Sequence, residues 1–193
     1  MIVLASQSPR RRELLERLHI PHEVDPAHVD ETRHADEAPL AYARRVAEDK
    51  ARAVAARHPG RPVLAADTVV VLDGAVLGKP ASAAEAQAML RAMSGREHTV
   101  ITAVTLARDG ERWTRHDETR VRFRALSPEL IRDYVATGEP LDKAGSYGLQ
   151  GYGALLVEGI TGDYFGVIGL PLRLVVDLLV EARVRYHLPG GPP

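Results

Sequence analysis

The spacing of hydrophobic and polar residues along the chain predicts strands and helices in alternation. Apolar runs predict strands at 2–5 and 62–72, and the segment 22–25 is a plausible short strand. Apolar residues spaced three and four apart predict helices starting at residue 9 and at 169, and others at about 39–57, 82–93 and 128–137. The segment 26–38 is polar and is expected to be a loop.

Several of the predicted strands pair as hairpins. Polar and apolar residues alternate over 97–108 and 111–124 around Asp109-Gly110, which predicts a long antiparallel hairpin. Asp73-Gly74 predicts a tight turn after the strand at 62–72, and 154–158 with 163–168 suggest a third hairpin. Helices alternating with hairpins predict an α/β fold with a mixed, partly antiparallel sheet flanked by helices.

The start of the first helix carries an unusual concentration of positive charge. Ser8 is a suitable N-cap and Pro9 suits the first helical position. Arg10, Arg11 and Arg12 follow, although a helix N-terminus favours anions. Arg11 falls on the apolar stripe of the helix. A solvated basic helix start is one interpretation. The other is a phosphate site built from backbone N–H groups, serine hydroxyls and arginines.

Two charged residues occupy positions where the pattern is otherwise apolar. Lys50 lies on the inward stripe of the helix at 39–57, where it either extends to the surface or points its ammonium into a polar cleft. Asp67 lies in the middle of the apolar run 62–72, where a buried, unpaired carboxylate is costly. Asp67 is therefore expected to meet a cation, a metal or several donors, unless it belongs to a structural turn between two strands.

Composition limits the classes of function. The chain has 193 residues and a net charge of −1, which argues against a general nucleic-acid-binding protein. The absence of cysteine excludes thiolate catalysis and cysteine–zinc sites. No apolar run reaches the length of a membrane span, so a soluble cytoplasmic protein is expected. One domain over 1–188 and a disordered tail over 189–193 are predicted.

Eight short motifs, taken in order, resemble the Maf family of nucleoside triphosphate pyrophosphatases. They are Leu-Ala-Ser-Gln-Ser-Pro-Arg-Arg-Arg-Glu-Leu-Leu (4–15), Val-Asp-Glu-Thr (29–32), Glu-Asp-Lys-Ala (48–51), Ala-Asp-Thr-Val-Val (66–70), Gly-Lys-Pro (78–80), Met-Ser-Gly (93–95), Ala-Gly-Ser-Tyr-Gly-Leu-Gln-Gly (144–151) and Val-Ile-Gly-Leu-Pro-Leu (167–172). The resemblance implies a fold related to the inosine-triphosphate pyrophosphatases, with two lobes around a cleft. It implies hydrolysis of a nucleoside triphosphate to the monophosphate and pyrophosphate, assisted by Mg²⁺ or Mn²⁺, and a possible homodimer.

The resemblance also assigns roles to individual residues. Asp67 matches the catalytic acidic residue, and Glu31 with Asp67 is expected to hold the metal. The expected phosphate-binding residues are Ser6, Arg11, Lys50 and Lys79. Arg10, Thr68 and Gln150 match the specificity positions of a subgroup that hydrolyses dTTP and UTP.

Two other functions stay open from the sequence. One is the same chemistry on 7-methyl-GTP, CTP or a modified pyrimidine triphosphate. The other is a non-catalytic regulator of division that binds nucleotides. In either case a nucleotide, rather than a nucleic acid or a membrane, is the expected partner.

Overall fold

A computed structural model gives the structure of the protein and describes residues 1–186. Within this range the strands are β1 (Ile2–Leu4), β2 (His22–Val24), β3 (Val63–Leu72), β4 (Ala75–Leu77), β5 (Glu97–Arg108), β6 (Glu111–Phe123) and β7 (Val157–Thr161). The helices are α1 (Pro9–Arg17), α2 (Pro39–Ala55), α3 (Ala83–Met93), α4 (Pro128–Ala136), α5 (Tyr164–Ile168) and α6 (Leu172–Glu181). The tail predicted over 189–193 lies outside the described residues.

The strands form one mixed sheet. Its order is β2-β1-β3-β5-β6-β7, and β4 pairs with β3 beside this path. β1 is parallel to β2 and to β3, with Val3 opposite Val63 in the second pair. β4 is antiparallel to β3, and β7 is antiparallel to β6. The predicted mixed, partly antiparallel α/β fold is therefore confirmed.

The chain divides into two compact units, each made of segments that are distant in sequence. Among the described residues, the first unit contains Met1–Asp67, Thr102–His116 and residues 169–186. The second contains Thr68–Ile101 and Asp117–Ile168. The single domain expected from the sequence stays a prediction.

Each unit has an apolar core that stabilises it. The core of the first unit includes Val3, Ala5, Ala51, Val54, Val63, Ala65 and Ala107. The larger core of the second unit includes Val70, Leu90, Met93, Val121, Phe123, Ile131, Tyr147 and Leu156. Burial of such side chains away from water is the dominant favourable contribution to folding.

Serine residues define where three of the helices begin. The side chain of Ser8 accepts from the N–H of the third residue of α1, Arg11. Ser82 begins α3 and Ser127 begins α4 in the same way. A side-chain N-cap of this kind contributes about 1 kcal/mol, so the sequence positions these helix starts locally.

The hairpin predicted from 154–158 and 163–168 is wrong. The second of these segments is the one-turn helix α5, and β7 pairs with β6 instead. Asp163 explains the difference, because its Oδ1 accepts from the N–H groups of Phe165 at 2.7 Å and Gly166 at 3.1 Å. Its own N–H donates to Thr119 Oγ1 at 2.7 Å, which fixes where the helix starts. The helix predicted to end near residue 57 ends at Ala55.

The glycine-rich segment 138–153 is more ordered than the predicted loop. Three 3₁₀ turns, at Glu139–Asp142, Ala144–Ser146 and Tyr152–Leu156, occupy this segment and the three residues after it. Gly145 has a φ of 68°, and a Cβ there would lie 2.8 Å from Val70 Cγ1. Its N–H donates to the carbonyl of Gly78 at 3.0 Å. Only glycine fits this position without strain. Among residues 1–186, no helix has the length and apolar character to cross a membrane.

Candidate active site

A buried lysine joins two carboxylates in the first unit. Lys50 lies on α2, and its Nζ donates to two carboxylates, each at 2.8 Å. The acceptors are Asp67 Oδ1 on β3 and Glu31 Oε2 in the loop before α2. Lys50 and Asp67 are each only 8% exposed. The surface alternative for Lys50 is therefore wrong. The turn alternative for Asp67 is also wrong, because the residue lies inside β3.

The position of Glu31 is set by its backbone and by neighbouring residues. The Tyr42 hydroxyl donates to the Glu31 carbonyl at 2.8 Å. Arg45 Nη2 donates to the Thr32 carbonyl at 3.0 Å, and the same guanidinium binds both carboxylate oxygens of Glu37 at 2.7 and 2.9 Å. The half-exposed Glu31 carboxylate thus extends from a loop that is held on α2.

The roles of Tyr42 and Arg45 were not expected from the sequence. Their spacing of three residues on a helix places them on one face, but this spacing is common and does not reveal a partner loop.

Arg11 is held in place by the chain around the start of α1. Its Nε donates to the Gly169 carbonyl at 2.8 Å, and its Nη1 donates to Ser6 Oγ at 3.2 Å. The N–H of Ser8 also donates to Ser6 Oγ, at 3.2 Å. The buried Ser6 hydroxyl therefore connects the turn after β1 to the guanidinium.

The charges of these residues influence one another. Burial lowers the pKa of Arg11, the negative charges of Asp67 and Glu31 raise it, and the positive charge of Arg10 lowers it. Ser6, Arg10, Arg11, Glu31, Lys50 and Asp67 thus belong to one electrostatic group within the first unit, which we call the charged cluster. The inward orientation predicted for Arg11 agrees with its partly buried position.

Burial also raises the pKa of Asp67, against the opposing charges of Lys50 and Arg11. A carboxylate with a raised pKa accepts a proton more readily than an exposed one, which suits a general base. Lys50 binds one oxygen of this carboxylate and therefore restricts its orientation.

The other three expected site residues lie in the second unit. Thr68 follows Asp67 directly on β3 and is partly buried. Lys79 is exposed in the loop after β4, and Gln150 is exposed in the segment 148–153. The hydrogen bond from Gly145 to Gly78 ties the chain beside Lys79 to the base of the loop that carries Gln150.

The charged cluster offers two carboxylates to a hard divalent cation. Glu31 and Asp67 converge on one ammonium, so both carboxylates reach one cation. The described part of the chain contains no group of three or more His, Cys, Asp or Glu residues placed to hold a metal ion. Mg²⁺ is commonly bound through one or two carboxylates together with water and substrate phosphates, so the two residues fit that coordination.

Comparison with known proteins gives matches over most of the chain. The family model described as Maf-like protein matches residues 1–182. A protein of Symbiobacterium thermophilum named dTTP/UTP pyrophosphatase is 54% identical over 181 residues, which are 93% of this chain and 93% of that protein. A protein of Moorella thermoacetica with the same name is 56% identical over 180 residues, 92% of this chain and 93% of its own.

Among solved structures, the Staphylococcus aureus Ham1 protein aligns with a TM-score of 0.47 at 17% identity, over 63% of this chain and 71% of that chain. A match of this size carries no information on activity.

Proposed function

Because this chain belongs to the family of Maf-like proteins, we propose that it is a nucleoside triphosphate pyrophosphatase. It hydrolyses dTTP and UTP to the nucleoside monophosphate and pyrophosphate. The relatives named dTTP/UTP pyrophosphatase support this substrate class. The observation that carries the proposal is the buried Lys50 ammonium, which pairs with Asp67 and Glu31 inside the charged cluster. Isolated buried charges are costly, and their retention at one place is typical of a functional site.

Asp67 acts as the general base in this proposal. Water attacks the α-phosphorus, and the bond from that phosphorus to the oxygen bridging to the β-phosphate breaks. The proton released by the water passes to the Asp67 carboxylate, and pyrophosphate leaves. The raised pKa of Asp67 favours this transfer, and Lys50 keeps the carboxylate in one orientation.

Cationic side chains neutralise the triphosphate. Phosphoryl transfer depends mainly on positioning and charge stabilisation, which Arg11, Lys50 and Lys79 supply as cations. The Ser6 hydroxyl orients the Arg11 guanidinium and contributes a further polar contact to the phosphates. Lys50 exchanges part of its pairing with the carboxylates for a phosphate oxygen when substrate binds.

Glu31 and Asp67 would hold a divalent cation, Mg²⁺ or Mn²⁺. The chemistry that such a cation would supply is neutralisation of phosphate charge and activation of water. Lys50 Nζ lies between the two carboxylates, 2.8 Å from an oxygen of each. The lysine therefore limits their mutual repulsion.

Gln150, Thr68 and Arg10 contact the base and sugar end of the substrate. A glutamine amide both donates and accepts, so Gln150 matches the imide N–H and the carbonyls of uracil and thymine. A glutamate at this position could not donate to those carbonyls. The homodimer implied by the family resemblance stays a prediction.

The deciding experiment measures the products formed from a panel of nucleoside triphosphates with Mg²⁺ or Mn²⁺. Pyrophosphate release from dTTP and UTP, and little from purine triphosphates or CTP, is expected. Asp67→Asn should lower kcat by about 10²–10⁴-fold, the usual contribution of a general base. Asp177→Asn is the matched control, because Asp177 is exposed on α6 and pairs with Arg173.

Three results would contradict parts of the proposal. Full activity in Asp67→Asn would exclude Asp67 as the general base. Preferred hydrolysis of 7-methyl-GTP or CTP would change the substrate. Stabilisation by UTP without any product would indicate a nucleotide-binding regulator instead.

A further inference from the structure

The partly buried carboxylate of Glu139 binds the backbone on one side of Gln150. Glu139 Oε2 accepts from the N–H of Tyr152 at 2.8 Å, and its Oε1 accepts from the N–H of Gly153 at 3.0 Å. Both donors lie two or three residues after Gln150. Hydrogen bonds from backbone N–H groups to an ionised carboxylate are stronger than those between neutral groups.

The Tyr134 hydroxyl extends the same contact to the other side of Gln150. It donates to Glu139 Oε1 at 2.9 Å and accepts from the N–H of Gly148 at 3.2 Å. Burial raises the pKa of Tyr134, so the phenol keeps its proton and its role as a donor. Gly148 and Tyr152 lie two residues before and two residues after Gln150, so this pair of side chains brackets it.

The glycines of the segment leave the space that these side chains need. A Cβ at Gly151 would overlap Glu139 Oε2, and a Cβ at Gly153 would lie 2.7 Å from the Tyr134 hydroxyl. A Cβ at Gly148 would lie 2.6 Å from Lys143 Cε. These glycines therefore pack against specific side chains as well as allowing the chain to turn.

Lys143 fixes the Glu139 end of the arrangement. Its Nζ donates to the Glu139 carbonyl and to Asp142 Oδ1, both at 2.6 Å, and its side chain is only 14% exposed. The lysine is thus occupied by contacts within the segment. Glu139 is held through its backbone by Lys143 and, in turn, holds the backbone around Gln150 through its carboxylate.

We propose that Glu139, with Tyr134, is a positioning residue that fixes the backbone around Gln150 and thereby sets base selectivity. This inference rests on the proposed function, because it assumes that Gln150 contacts the base. Glu139 itself does not touch the substrate. An exposed glutamine amide discriminates bases only if it is presented from a fixed backbone, and the bracketing contacts hold the backbone on both sides of Gln150.

Two substitutions test the proposal with little change in shape. In Glu139→Gln, the side-chain NH₂ group must face either the Tyr152 N–H or the donors at Oε1, which places donor against donor. Tyr134→Phe removes the hydroxyl alone. Glu129→Gln is the matched control, because Glu129 lies on α4 with an exposed side chain and pairs with Arg132.

The assay measures kcat and KM separately for UTP and CTP, inhibition by inorganic pyrophosphate, and hydrogen exchange of the Tyr152 and Gly153 amides. Glu139→Gln should lower the ratio of kcat/KM for UTP to that for CTP about tenfold, the equivalent of one misaligned hydrogen bond. KM for UTP should rise, and exchange of the two amides should accelerate. Inhibition by pyrophosphate and every property of Glu129→Gln should match the wild type.

Several results would overturn the inference. Unchanged UTP/CTP selectivity in Glu139→Gln would overturn it, whether or not the Tyr152 and Gly153 amides exchange faster. A loss of pyrophosphate inhibition as large as the loss of selectivity would also overturn it, because it would indicate general damage to the site. If Glu139→Gln does not fold, the same selectivity measurement on Tyr134→Phe decides.

The proposed function fails separately. If the wild type releases no pyrophosphate, calorimetric binding of UMP and CMP to the same variants takes the place of kinetics. If the wild type binds UMP more tightly than CMP and Glu139→Gln loses this preference, the inference is supported even though the activity is absent. Absent or unselective binding by the wild type, or an unchanged preference in Glu139→Gln, would overturn it.

Discussion

Acidification should destabilise the protein through His98, which is buried in the second unit. The imidazole is 2% exposed. Its Nε2 lies 2.8 Å from the Tyr147 hydroxyl, and the rings of Phe123 and Tyr147 pack edge-on at centroid distances of 4.9 and 5.3 Å. Its Nδ1 is buried and has no hydrogen-bond partner among residues 1–186. Burial lowers the pKa of His98 to about 4.

The direction of the effect follows from the two pKa values. The folded state disfavours the imidazolium, whereas the unfolded chain binds a proton with a pKa of about 6.5. The unfolded state therefore binds more protons, and stability falls as the pH drops from about 6.5 towards about 4. Below about pH 4 both states are protonated at His98, and this contribution becomes constant.

The magnitude follows from the same values. At pH 5 the unfolded histidine is almost fully protonated and the folded one is mostly neutral, which costs about 2 kcal/mol relative to pH 7. The limiting cost below pH 4 is about 3 kcal/mol. A single group therefore removes a large part of the stability of an ordinary domain.

Urea unfolding at pH 7 and pH 5, on the wild type and on His98→Gln, measures this contribution. Glutamine does not titrate, and its amide can keep a hydrogen bond to Tyr147. The free energy of unfolding of the wild type relative to the variant should fall by about 2 kcal/mol between the two pH values. His28→Gln, a change at an exposed position, controls for the loss of an imidazole. An equal difference between wild type and His98→Gln at both pH values would refute the reasoning.

Three further perturbations have defined outcomes. Lys50→Met leaves Asp67 buried without the lysine ammonium, so the free energy of unfolding measured in urea should fall by about 3–5 kcal/mol. Adding Asp67→Asn should restore part of the lost stability. Stability of Lys50→Met equal to the wild type would contradict the pairing. In Gly145→Ala the new Cβ is strained by a φ of 68° and also overlaps the Val70 side chain. In Gly60→Ala only the φ of 75° causes strain, because nothing lies within 4 Å of the new Cβ. The first change should therefore cost about 1–3 kcal/mol more than the second in thermal unfolding, and equal costs would argue against the contact. Gln150→Glu should weaken hydrolysis of UTP more than metal binding in titration calorimetry, and unchanged kinetics with UTP would exclude base recognition by this residue.

The sequence alone determined the features that depend on residues adjacent in the chain. Ser8, Ser82 and Ser127 begin helices because a serine side chain caps the N–H groups that follow it, whatever the rest of the fold does. Asp73-Gly74 and Asp109-Gly110 turn the chain because both residues of each pair adopt positive φ. The apolar run of β3, the alternation of β5 and the apolar stripe of α2 were equally clear.

Short segments were less predictable, because a few apolar residues fit a strand and a helix equally well. The segment 164–168 is a helix only because Asp163 caps it and is itself held by Thr119, which lies 44 residues earlier. The three 3₁₀ turns between residues 139 and 156 likewise depend on Glu139, Tyr134 and Lys143, whose contacts cannot be read from local sequence.

The charged cluster illustrates the same division. The pattern identified Lys50 and Asp67 as charges at apolar positions, because an amphipathic helix and a buried strand each leave a polar residue conspicuous. Which groups they meet was decided by tertiary structure: α2, β3 and the loop before α2 bring Lys50 to Asp67 and Glu31, 17 and 19 residues away. Local propensity specifies the elements, whereas side-chain pairing across elements depends on how the whole chain buries its apolar surface.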